Sequence, residues 1–423
     1  MRIGLVVSGA QCRRRQWLEV NSPVEGRNLR ASTTNSRRLR EAIRGSVSGR
    51  FDEVFEAEGI RVRADLLEEL DGGLGLRRFR AATRRRPWHV DELALQVHVL
   101  RACGLRVVSA QLWRLNRRYR RGSELDVMAA LKRLEVIDQV DARLEAWIER
   151  LPELAVLPAE EPEIEAGPHC TRPRQCPFRE RCGWVPRALE PSPLTERIDR
   201  ARVTGAPVVD ASLAEDLRAE GTVHALDFEA WAPALPAFPG TAPFESVVVQ
   251  WSLHTRNASG LVHREGFMEP HSDGRRALVE ALFDALEEPG PIYVFSEFEG
   301  RALGRMREMM SAHAERLEAI RARLVDLLPL LREKYVHPDF DGAFGLKRVL
   351  PVLVPGEGYE DLDLDDGGEA ALAYGELADP STTGPRRQQI REMLSAYCAR
   401  DSWALLRIRE ALLAKLGVGF EPC

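Results

Sequence analysis

The chain has 423 residues, of which 44% are hydrophobic and 30% charged, a balance typical of a globular protein with two or three domains. It contains no apolar run near the ~20 residues of a membrane span. Its short apolar start does not resemble a signal peptide, so we expect a cytoplasmic protein. The net charge of −5 conceals an asymmetry, because residues 1–121 contain 26 basic and 13 acidic side chains and residues 201–423 contain 23 and 36. This asymmetry is typical of a nucleic-acid-binding surface beside a cation site, although arginine-rich helices can also simply be solvated.

The first half of the chain has an α/β pattern. Residues 90–104 repeat apolar side chains at helical spacing, and residues 123–151 do so over several turns. Residues 105–117 are rich in β-branched side chains and alternate in polarity, which predicts a strand between the two helices. This order indicates an α/β unit, which we assign to a domain of residues 1–190. Residues 191–220 are polar and are predicted to be a linker.

Three of the seven cysteines are clustered in the sequence. Cys170, Cys176 and Cys182 are separated by two gaps of five residues, and Cys12 stands alone near the start. In a chain expected in the cytoplasm, such a cluster more often binds metal than forms disulfides. Zinc sites usually contain two ligands only two to four residues apart, which neither gap provides, although His169 offers a further zinc ligand.

The second half begins with three predicted strands in succession, which indicates an antiparallel meander. Their residues are 222–231, 245–255 and 260–270. A helix over residues 274–288 leads into an apolar strand over residues 291–298, and helices fill much of the remainder. This is the element order of an RNase H-like core, so we expect an α+β domain over residues 221–423.

Four carboxylates and a tyrosine of this half indicate a cation site. Asp227 and Glu229 are two residues apart on a predicted strand, so both lie on one face of it. Two buried carboxylates are costly unless something neutralises them, and a divalent cation does so. Glu299 directly follows the predicted apolar strand. Tyr397 and Asp401 have the i, i+4 spacing that places both on one face of a helix.

Phosphodiester cleavage with two metal ions requires such a set of acids. Carboxylates hold two Mg²⁺ or Mn²⁺ ions, one of which activates water while the other stabilises the leaving oxygen. A tyrosine hydroxyl can position the attacking water. A D-x-E pair on a strand is common and a single acid is usually a surface residue, but four acids at the ends of matching elements are rarer. The residues therefore favour a metal-dependent nuclease.

The second half resembles the DEDD exonuclease superfamily, the DnaQ-like branch of the RNase H fold. Its first motif, D-x-E, corresponds to Asp227 and Glu229, and the Y-x-x-x-D motif of the tyrosine subtype corresponds to Tyr397 and Asp401. The second motif normally supplies Asp, and Glu299 departs from that pattern by one methylene. The resemblance implies that the four carboxylates bind two Mg²⁺ or Mn²⁺ ions and that the tyrosine orients water.

The whole chain resembles a bacterial family that joins a RecB-like, iron–sulfur nuclease region to such an exonuclease domain. The sequence segments that carry this resemblance are HALDFEAW, VVVQWSLH, YVFSEFE, GLKRVLP and AYCARDSW, which together span most of residues 222–403. The resemblance implies a [4Fe–4S] cluster held by four thiolates, with zinc as the alternative. The implied ligands are Cys12, Cys170, Cys176 and Cys182.

RecB-like nucleases of the PD-(D/E)xK class need an Asp on one strand and E-x-K on the next. Asp65 matches the first residue, but Arg78 and Arg80 stand where E and K are expected. A guanidinium in place of a carboxylate reverses the charge at the ion site, so no Mg²⁺ is expected there. Gln96 matches the glutamine of the next motif, whereas Leu100 replaces its tyrosine. The N-terminal domain is therefore expected to bind nucleic acid without cutting it.

These expectations combine into an exonuclease that acts on nucleic acid, with DNA favoured over RNA and 3′–5′ polarity favoured. The candidate phosphate contacts are Lys347, Arg84, Arg85, Arg86, Arg117 and Arg118. The alternative is a non-catalytic nucleic-acid-binding component of a larger assembly, for example in phage defence. Glu299 in place of Asp and the degenerate N-terminal motif keep that alternative open. No membrane partner is expected.

Overall fold

The computed structural model divides the chain into two compact units. Its described residues are 1–23, 27–184 and 192–417. The first unit consists of Met1–Ala188 and Pro233–Glu245, and the second of Leu189–Ala232 and Ser246–Cys423. The boundary predicted at residues 190–191 lies outside the described residues. Within the described part of the chain, no helix has both the length and the apolar character that a membrane span requires.

The first unit combines helices with a mixed sheet. In chain order its elements are α1 (Ile3–Gln11), α2 (Arg13–Asn21), α3 (Arg27–Arg44), β1 (Arg50–Phe51), β2 (Val54–Ala57), β3 (Ile60–Arg63), β4 (Leu66–Leu70), β5 (Gly73–Arg80), α4 (Pro87–Ala102), β6 (Val107–Leu115), β7 (Leu131–Glu135), α5 (Ile137–Ile148), α6 (Leu151–Leu154) and a 3₁₀ turn at Pro168–Cys170. The main sheet has the order β1-β4-β5-β6-β7, and β2 pairs with β3. The β5–β6 pair is parallel and is joined by α4, which packs into the main core with α1 and α5.

The predicted strand within residues 105–117 and the predicted helix within 90–104 are confirmed by β6 and α4. The long helix predicted over 123–151 is wrong in its first part, where β7 forms instead. Leu131 and Leu134 are the more buried residues of β7, which pairs antiparallel with β6. Because that pairing satisfies backbone groups along one edge of β6, it prevails over the local helical pattern.

The second unit also combines a mixed sheet with helices. In chain order its elements are α7 (Pro193–Thr204), β8 (Val208–Val209), α8 (Leu213–Leu217), β9 (Val223–Trp231), β10 (Val247–Asn257), β11 (Gly260–Phe267), α9 (Arg275–Ala285), β12 (Ile292–Val294), α10 (Phe298–Met309), a 3₁₀ turn (Ser311–His313), α11 (Ala314–Arg321), β13 (Leu324–Asp326), α12 (Leu327–Lys334), β14 (Tyr335–Val336), a second 3₁₀ turn (Pro338–Phe340), α13 (Leu346–Leu353), α14 (Gly367–Leu377) and α15 (Gly384–Lys415). The main sheet has the order β11-β10-β9-β12-β13, and β8 pairs with β14.

The meander predicted from the sequence is confirmed, because β9, β10 and β11 pair antiparallel in succession. On the other side of β9, the strands β12 and β13 are added in parallel. The long helix α15 packs across β9 and β10, so residues of this helix come close to the centre of the sheet. The mixture of helices with mixed sheets in both units agrees with the expected α+β class.

The polar stretch predicted as a linker is folded instead. Residues 193–217 form α7, β8 and α8, and Leu213 and Leu217 are fully buried. The carbonyl of Leu217 accepts hydrogen bonds from the Tyr293 hydroxyl at 2.9 Å and from Arg409 Nε at 3.0 Å. Two leucines at i, i+4 spacing thus anchor this segment in the unit, although its polar composition did not predict any packing.

Candidate metal centre

Two carboxylates project from β9 at the centre of the second sheet. Asp227 and Glu229 lie two residues apart on this strand, opposite Ser252 and Gln250 of β10. Phe228 between them is buried on the other face, as the period of two residues requires. Glu229 is buried and Asp227 is half-buried. Because β9 has a neighbouring strand on each side, other groups reach its carboxylates from the face of the sheet. The helix α15 packs on β9 and β10.

Asp401 on α15 completes an acidic group with the two residues of β9. One carboxylate oxygen from each of Asp227, Glu229 and Asp401 lies within 4.8 Å of the other two. Among the described residues this is the one group of three or more potential metal ligands that are so close. The structure therefore brings together three of the four carboxylates that were singled out in the sequence.

Glu299 approaches the same group but does not belong to the set within 4.8 Å. Its predicted position at the end of a strand over residues 291–298 is wrong, because β12 ends at Val294 and Glu299 lies in the first turn of α10. A turn at Ser296, with φ at 87°, separates the two elements. The backbone N–H of Ser296 donates to Asp326 Oδ1 at 2.7 Å, which stabilises this unusual conformation.

The Glu299 carboxyl is nonetheless part of the same electrostatic environment. It is 3% exposed, and its Oε2 finds no hydrogen-bond partner among the described residues. Burial, with the charge of Asp227 next in importance, raises the pKa of Glu299 well above its ordinary value. A carboxyl group in this condition is suited to accept a proton or to bind a cation.

The other three carboxyl groups also have raised pKa values, first of all because of burial. The pKa values of Asp227 and Glu229 are well above normal, and the charge of Asp401 raises both further. Burial raises the pKa of Asp401 to about 6, although hydrogen bonds from Tyr359 and Tyr397 oppose the shift. Close carboxylates in a poorly hydrated site repel one another, so their ionised forms need a counter-ion.

Two tyrosines lie beside Asp401. Tyr397 precedes it by one helical turn on α15, as predicted. Tyr359, in the loop between α13 and α14, donates its hydroxyl to Asp401 Oδ1 at 2.5 Å, and the two tyrosine rings are 6.3 Å apart between centroids. The loop is fastened to α15 by the Arg400–Asp361 ion pair at 2.7 Å. Tyr359 was missed in the sequence because no motif spacing connects it to Asp401.

Lys347 of α13 lies against both tyrosines. Its Nζ is 4.9 Å from the centroid of the Tyr359 ring and 5.3 Å from that of Tyr397, and it donates to the carbonyl of Leu364 at 3.1 Å. Its positive charge opposes the effect of burial, which raises the pKa of Asp401. The residue predicted as a phosphate contact is therefore a cation at the edge of the acidic group.

Cys398 is a further member of the site that the sequence did not reveal. Its thiol donates to Asp227 Oδ2 at 3.3 Å, and the side chain is fully buried. Burial raises its pKa well above the ordinary value, so the group is a neutral donor. It follows Tyr397 directly, and this adjacency to a motif residue was the only signal in the sequence.

Comparison with known proteins adds one match for this region. Residues 224–345 match a family model described as a domain of unknown function, DUF2779. No curated protein and no solved structure matches the chain. The matched range contains Asp227, Glu229 and Glu299 but ends before α13, so Tyr397 and Asp401 lie beyond it.

The four cysteines predicted to bind a cluster line one small cavity of the first unit, together with His169. Their residues are Cys12, Cys170, Cys176 and Cys182. Gln11, beside the first of them, donates to the carbonyls of His169 at 2.7 Å and Arg174 at 2.6 Å, which ties the start of the unit to the segment that contains the other three. Among the described residues, no three of the potential ligand atoms here lie within 4.8 Å of one another.

The degenerate nuclease motif forms a set of internal ion pairs. Asp65 is fully buried and accepts from Arg78 Nη1 and from the Phe79 N–H, both at 3.0 Å. Burial alone raises the pKa of Asp65, but Arg78, the Phe79 amide and Arg40 outweigh that effect and lower it. Gln96 is also buried and donates to the carbonyl of Arg63 at 2.6 Å. Asp65 thus has its counter-charges within the protein.

The arginines predicted to contact phosphates are exposed in two loops of the first unit. Arg84, Arg85 and Arg86 precede α4, and Arg117 and Arg118 follow β6. Because β5 and β6 are parallel, the segments that follow them emerge at the same edge of the sheet. Backbone hydrogen bonding between Leu115 and Ala82 at 3.0 Å connects these segments.

Proposed function

We propose that the second unit is a metal-dependent exonuclease that hydrolyses phosphodiester bonds of nucleic acid. The observation that carries this proposal is the convergence of Asp227, Glu229 and Asp401 within 4.8 Å, in a site where burial raises the pKa of each carboxyl. Divalent cations with oxygen ligands are the natural partners of such a group. Glu299 is near enough to take part in the same site.

The arrangement of the second sheet supports an RNase H-like fold of the DEDD type. Its meander is continued by two parallel strands on the far side of β9, and β10 alone runs opposite to the other four strands. This strand arrangement agrees with the order of strands and helices that led us to predict an RNase H-like core from the sequence. The motif residues Tyr397 and Asp401 lie on the helix that packs on this sheet, as the tyrosine subtype requires.

The residues fit the chemistry of two-metal hydrolysis. Two Mg²⁺ or Mn²⁺ ions held by the four carboxylates would supply an activated water and stabilise the leaving oxygen. Burial keeps the Tyr397 hydroxyl protonated by raising its pKa, so this group can donate a hydrogen bond and orient the attacking water. Tyr359 and Cys398 hold Asp401 and Asp227 by one hydrogen bond each. Lys347 offers an ammonium group to a phosphate oxygen.

The first unit is proposed to bind the nucleic acid without cutting it. The exposed arginines of its two loops suit phosphate contacts, which carry little sequence information. The ion pairs around Asp65 leave no carboxylate there that needs a metal ion. DNA is favoured over RNA as the substrate because the RecB-like nucleases that the chain resembles act on DNA, and 3′–5′ polarity is favoured for the exonuclease.

The cysteine cavity is proposed to hold a [4Fe–4S] cluster that joins the start of the first unit to residues 170–182. The four cysteines line one cavity, and neither gap between Cys170, Cys176 and Cys182 has the spacing of two to four residues usual for zinc, which favours the cluster. Protein purified without oxygen should be brown, absorb near ~400 nm and contain iron. A colourless protein that contains zinc would refute this assignment.

The nuclease proposal is tested by degradation of end-labelled DNA and RNA, single- and double-stranded, with Mg²⁺ or Mn²⁺. Cleavage should require the metal, stop on addition of EDTA and depend on a free 3′ end. The Asp227→Asn variant should be inactive. The matched control is Asp284→Asn, which changes an exposed acid on α9 and should leave activity unchanged. Activity that persists in Asp227→Asn would refute the site.

One observation favours the second candidate, a non-catalytic nucleic-acid-binding component. Glu299 lies outside the group within 4.8 Å, so the fourth ligand of a two-metal site is the least closely placed. A binding component would retain nucleic acid without degrading it and would have no need of two ions. Calorimetric titration of Mn²⁺ distinguishes the two, since the exonuclease should bind two ions per chain and lose them in Asp227→Asn.

A further inference from the structure

The first unit contains a pocket in which basic side chains predominate. It is bounded by α1, α3, the end of β5 and the start of α4, and its volume of about 390 Å³ lies in the range of small-molecule sites. The side chains that determine its chemistry are Ser32, Ser36, Arg78, Arg80, Trp88, His89 and Glu92. Ser32 is exposed, so the pocket reaches the surface.

The charges around this pocket do not balance. Arg78 and Arg80 lie two residues apart on β5, and Arg40 Nε is 3.5 Å from Asp65 Oδ1. The carboxylates in contact with these three guanidiniums are Asp65, paired with Arg78, Glu92, paired with Arg80 and Arg78, and Asp52, whose Oδ1 is 3.7 Å from Arg40 Nε. Asp52 also pairs with Arg44 and Arg63. When the partners of Asp52 are included, five guanidiniums face three carboxylates, and the excess is positive.

Hydrogen-bond donors around the pocket are also in excess. Arg174 places its guanidinium 5.6 Å from the centroid of the Trp88 ring. Its buried Nε and Nη2 have no hydrogen-bond partner among the described residues, and the same holds for Arg78 Nε. Burial, together with other arginines, lowers the pKa values of Arg80 and Arg174. Because unsatisfied buried donors are costly, an acceptor group of opposite charge would stabilise this arrangement.

His89 adds a neutral donor to the same lining. Its Nδ1 accepts from the backbone N–H of Arg86 at 3.3 Å, so a neutral ring carries its proton on Nε2. Burial and the neighbouring Arg80 lower the pKa of His89 to about 3, and the ring is therefore neutral at physiological pH. With the hydroxyl groups of Ser32 and Ser36, the pocket offers donors of three kinds.

We propose that this pocket binds a phosphate group, carried either by a free nucleotide or by the end of a nucleic-acid strand. A phosphate monoester has the double negative charge and the several acceptor oxygens that paired guanidinium groups recognise. A cation is disfavoured by the positive excess. The pocket is built from residues of the first unit alone, so the inference goes beyond the exonuclease proposed for the second unit and does not depend on it.

The test uses two substitutions that change the local charge in opposite directions. Binding of inorganic phosphate to the full-length protein is measured by calorimetry in EDTA, with NaCl at equal ionic strength as the reference. Arg80→Gln should weaken binding about tenfold, whereas Glu92→Gln should strengthen it. Arg101→Gln, which changes a surface arginine paired with Asp141, should leave it unchanged.

A folding defect cannot imitate this result, because a damaged pocket would bind more weakly in both variants. The proposal is overturned if phosphate binds no better than chloride, or if Arg80→Gln and Glu92→Gln both weaken binding. A second arm compares a mononucleotide with otherwise identical oligonucleotides that carry or lack a terminal phosphate. Preference for the phosphorylated oligonucleotide supports a strand end as the ligand, whereas binding of the mononucleotide and phosphate alone supports a free nucleotide.

Discussion

Each unit buries a cluster of charged side chains, but the two clusters are neutralised in different ways. In the first unit, burial would raise the pKa of Asp65, yet the guanidiniums of Arg78 and Arg40 lower it below its ordinary value. In the second unit, Asp227 faces Asp401 rather than a guanidinium, and burial with this like charge raises its pKa far above normal. The carboxylate of the first unit is therefore stable when ionised, whereas that of the second needs a proton or a cation from solution.

This contrast separates a structural carboxylate from a candidate ligand, although both lie on or beside the main sheet of their unit. Burial alone says little about function, because a counter-charge supplied by the chain removes the need for an ion. The direction of the pKa shift is the more informative property. The raised pKa values mark the acidic group of the second unit as a candidate cation site, whereas the ion pairs of the first unit leave an excess of positive charge, which suits an anion.

The largest expected effect is on catalysis. Asp227→Asn should lower the rate of phosphodiester cleavage by roughly a thousandfold, because it removes a ligand that supports charge stabilisation of several kcal/mol. Asp65→Asn should leave the rate within about twofold when measured on folded protein. Cleavage is followed on end-labelled DNA with Mn²⁺. A loss of activity in Asp65→Asn alone would mean that the catalytic unit has been assigned to the wrong half.

The same two substitutions should have opposite effects on stability. Asp65→Asn leaves Arg78 and Arg40 without their buried partner and should destabilise the first unit by about 3–5 kcal/mol. Asp227→Asn at pH 8 in EDTA should raise the denaturation temperature of the second unit, because it removes a carboxyl that must ionise in a buried site. Denaturation followed by circular dichroism measures both. Destabilisation in both variants would contradict the comparison.

The stability of the metal-free second unit should fall as the pH rises. The pKa of Asp401 is raised to about 6, so its contribution is complete below the unfolded value near 3.8 and is lost as the pH rises through about 6. This residue alone contributes about 3 kcal/mol to the change. Saturating Mn²⁺ should reverse the trend, since the metal binds the ionised form. The difference between the protein and Asp401→Asn isolates the effect, and a difference that does not vary with pH would contradict it.

Local periodicity was sufficient to identify most of the acidic site. The spacing of two residues places Asp227 and Glu229 on one face of β9, and the spacing of four places Tyr397 and Asp401 on one face of α15. Glu299 was assigned to the right region but to the wrong element, because the apolar run did not reveal the left-handed turn that ends β12 after three residues.

The contacts that were missed come from residues distant in sequence or without a motif. Tyr359 reaches Asp401 from a loop, and its position depends on the Arg400–Asp361 pair, which no periodicity predicts. The fold of residues 193–217 was missed because its leucines are few among polar residues, so packing rather than composition decides its structure. Tertiary contacts of this kind are the part of the site that local spacing cannot reveal.

The smallest expected effect concerns the tyrosine that the sequence did not reveal. Tyr359→Phe removes one hydrogen bond to a carboxylate, worth about 1.5–3 kcal/mol, and should weaken Mn²⁺ binding by about tenfold by leaving Asp401 less well oriented. The matched control is Tyr374→Phe, which removes a buried hydrogen bond to the carbonyl of Met268 in the same unit. Both variants should lose stability, but only Tyr359→Phe should lose metal affinity in calorimetric titration. Equal loss of affinity in the two variants would show that Tyr359 acts only through the stability of the unit.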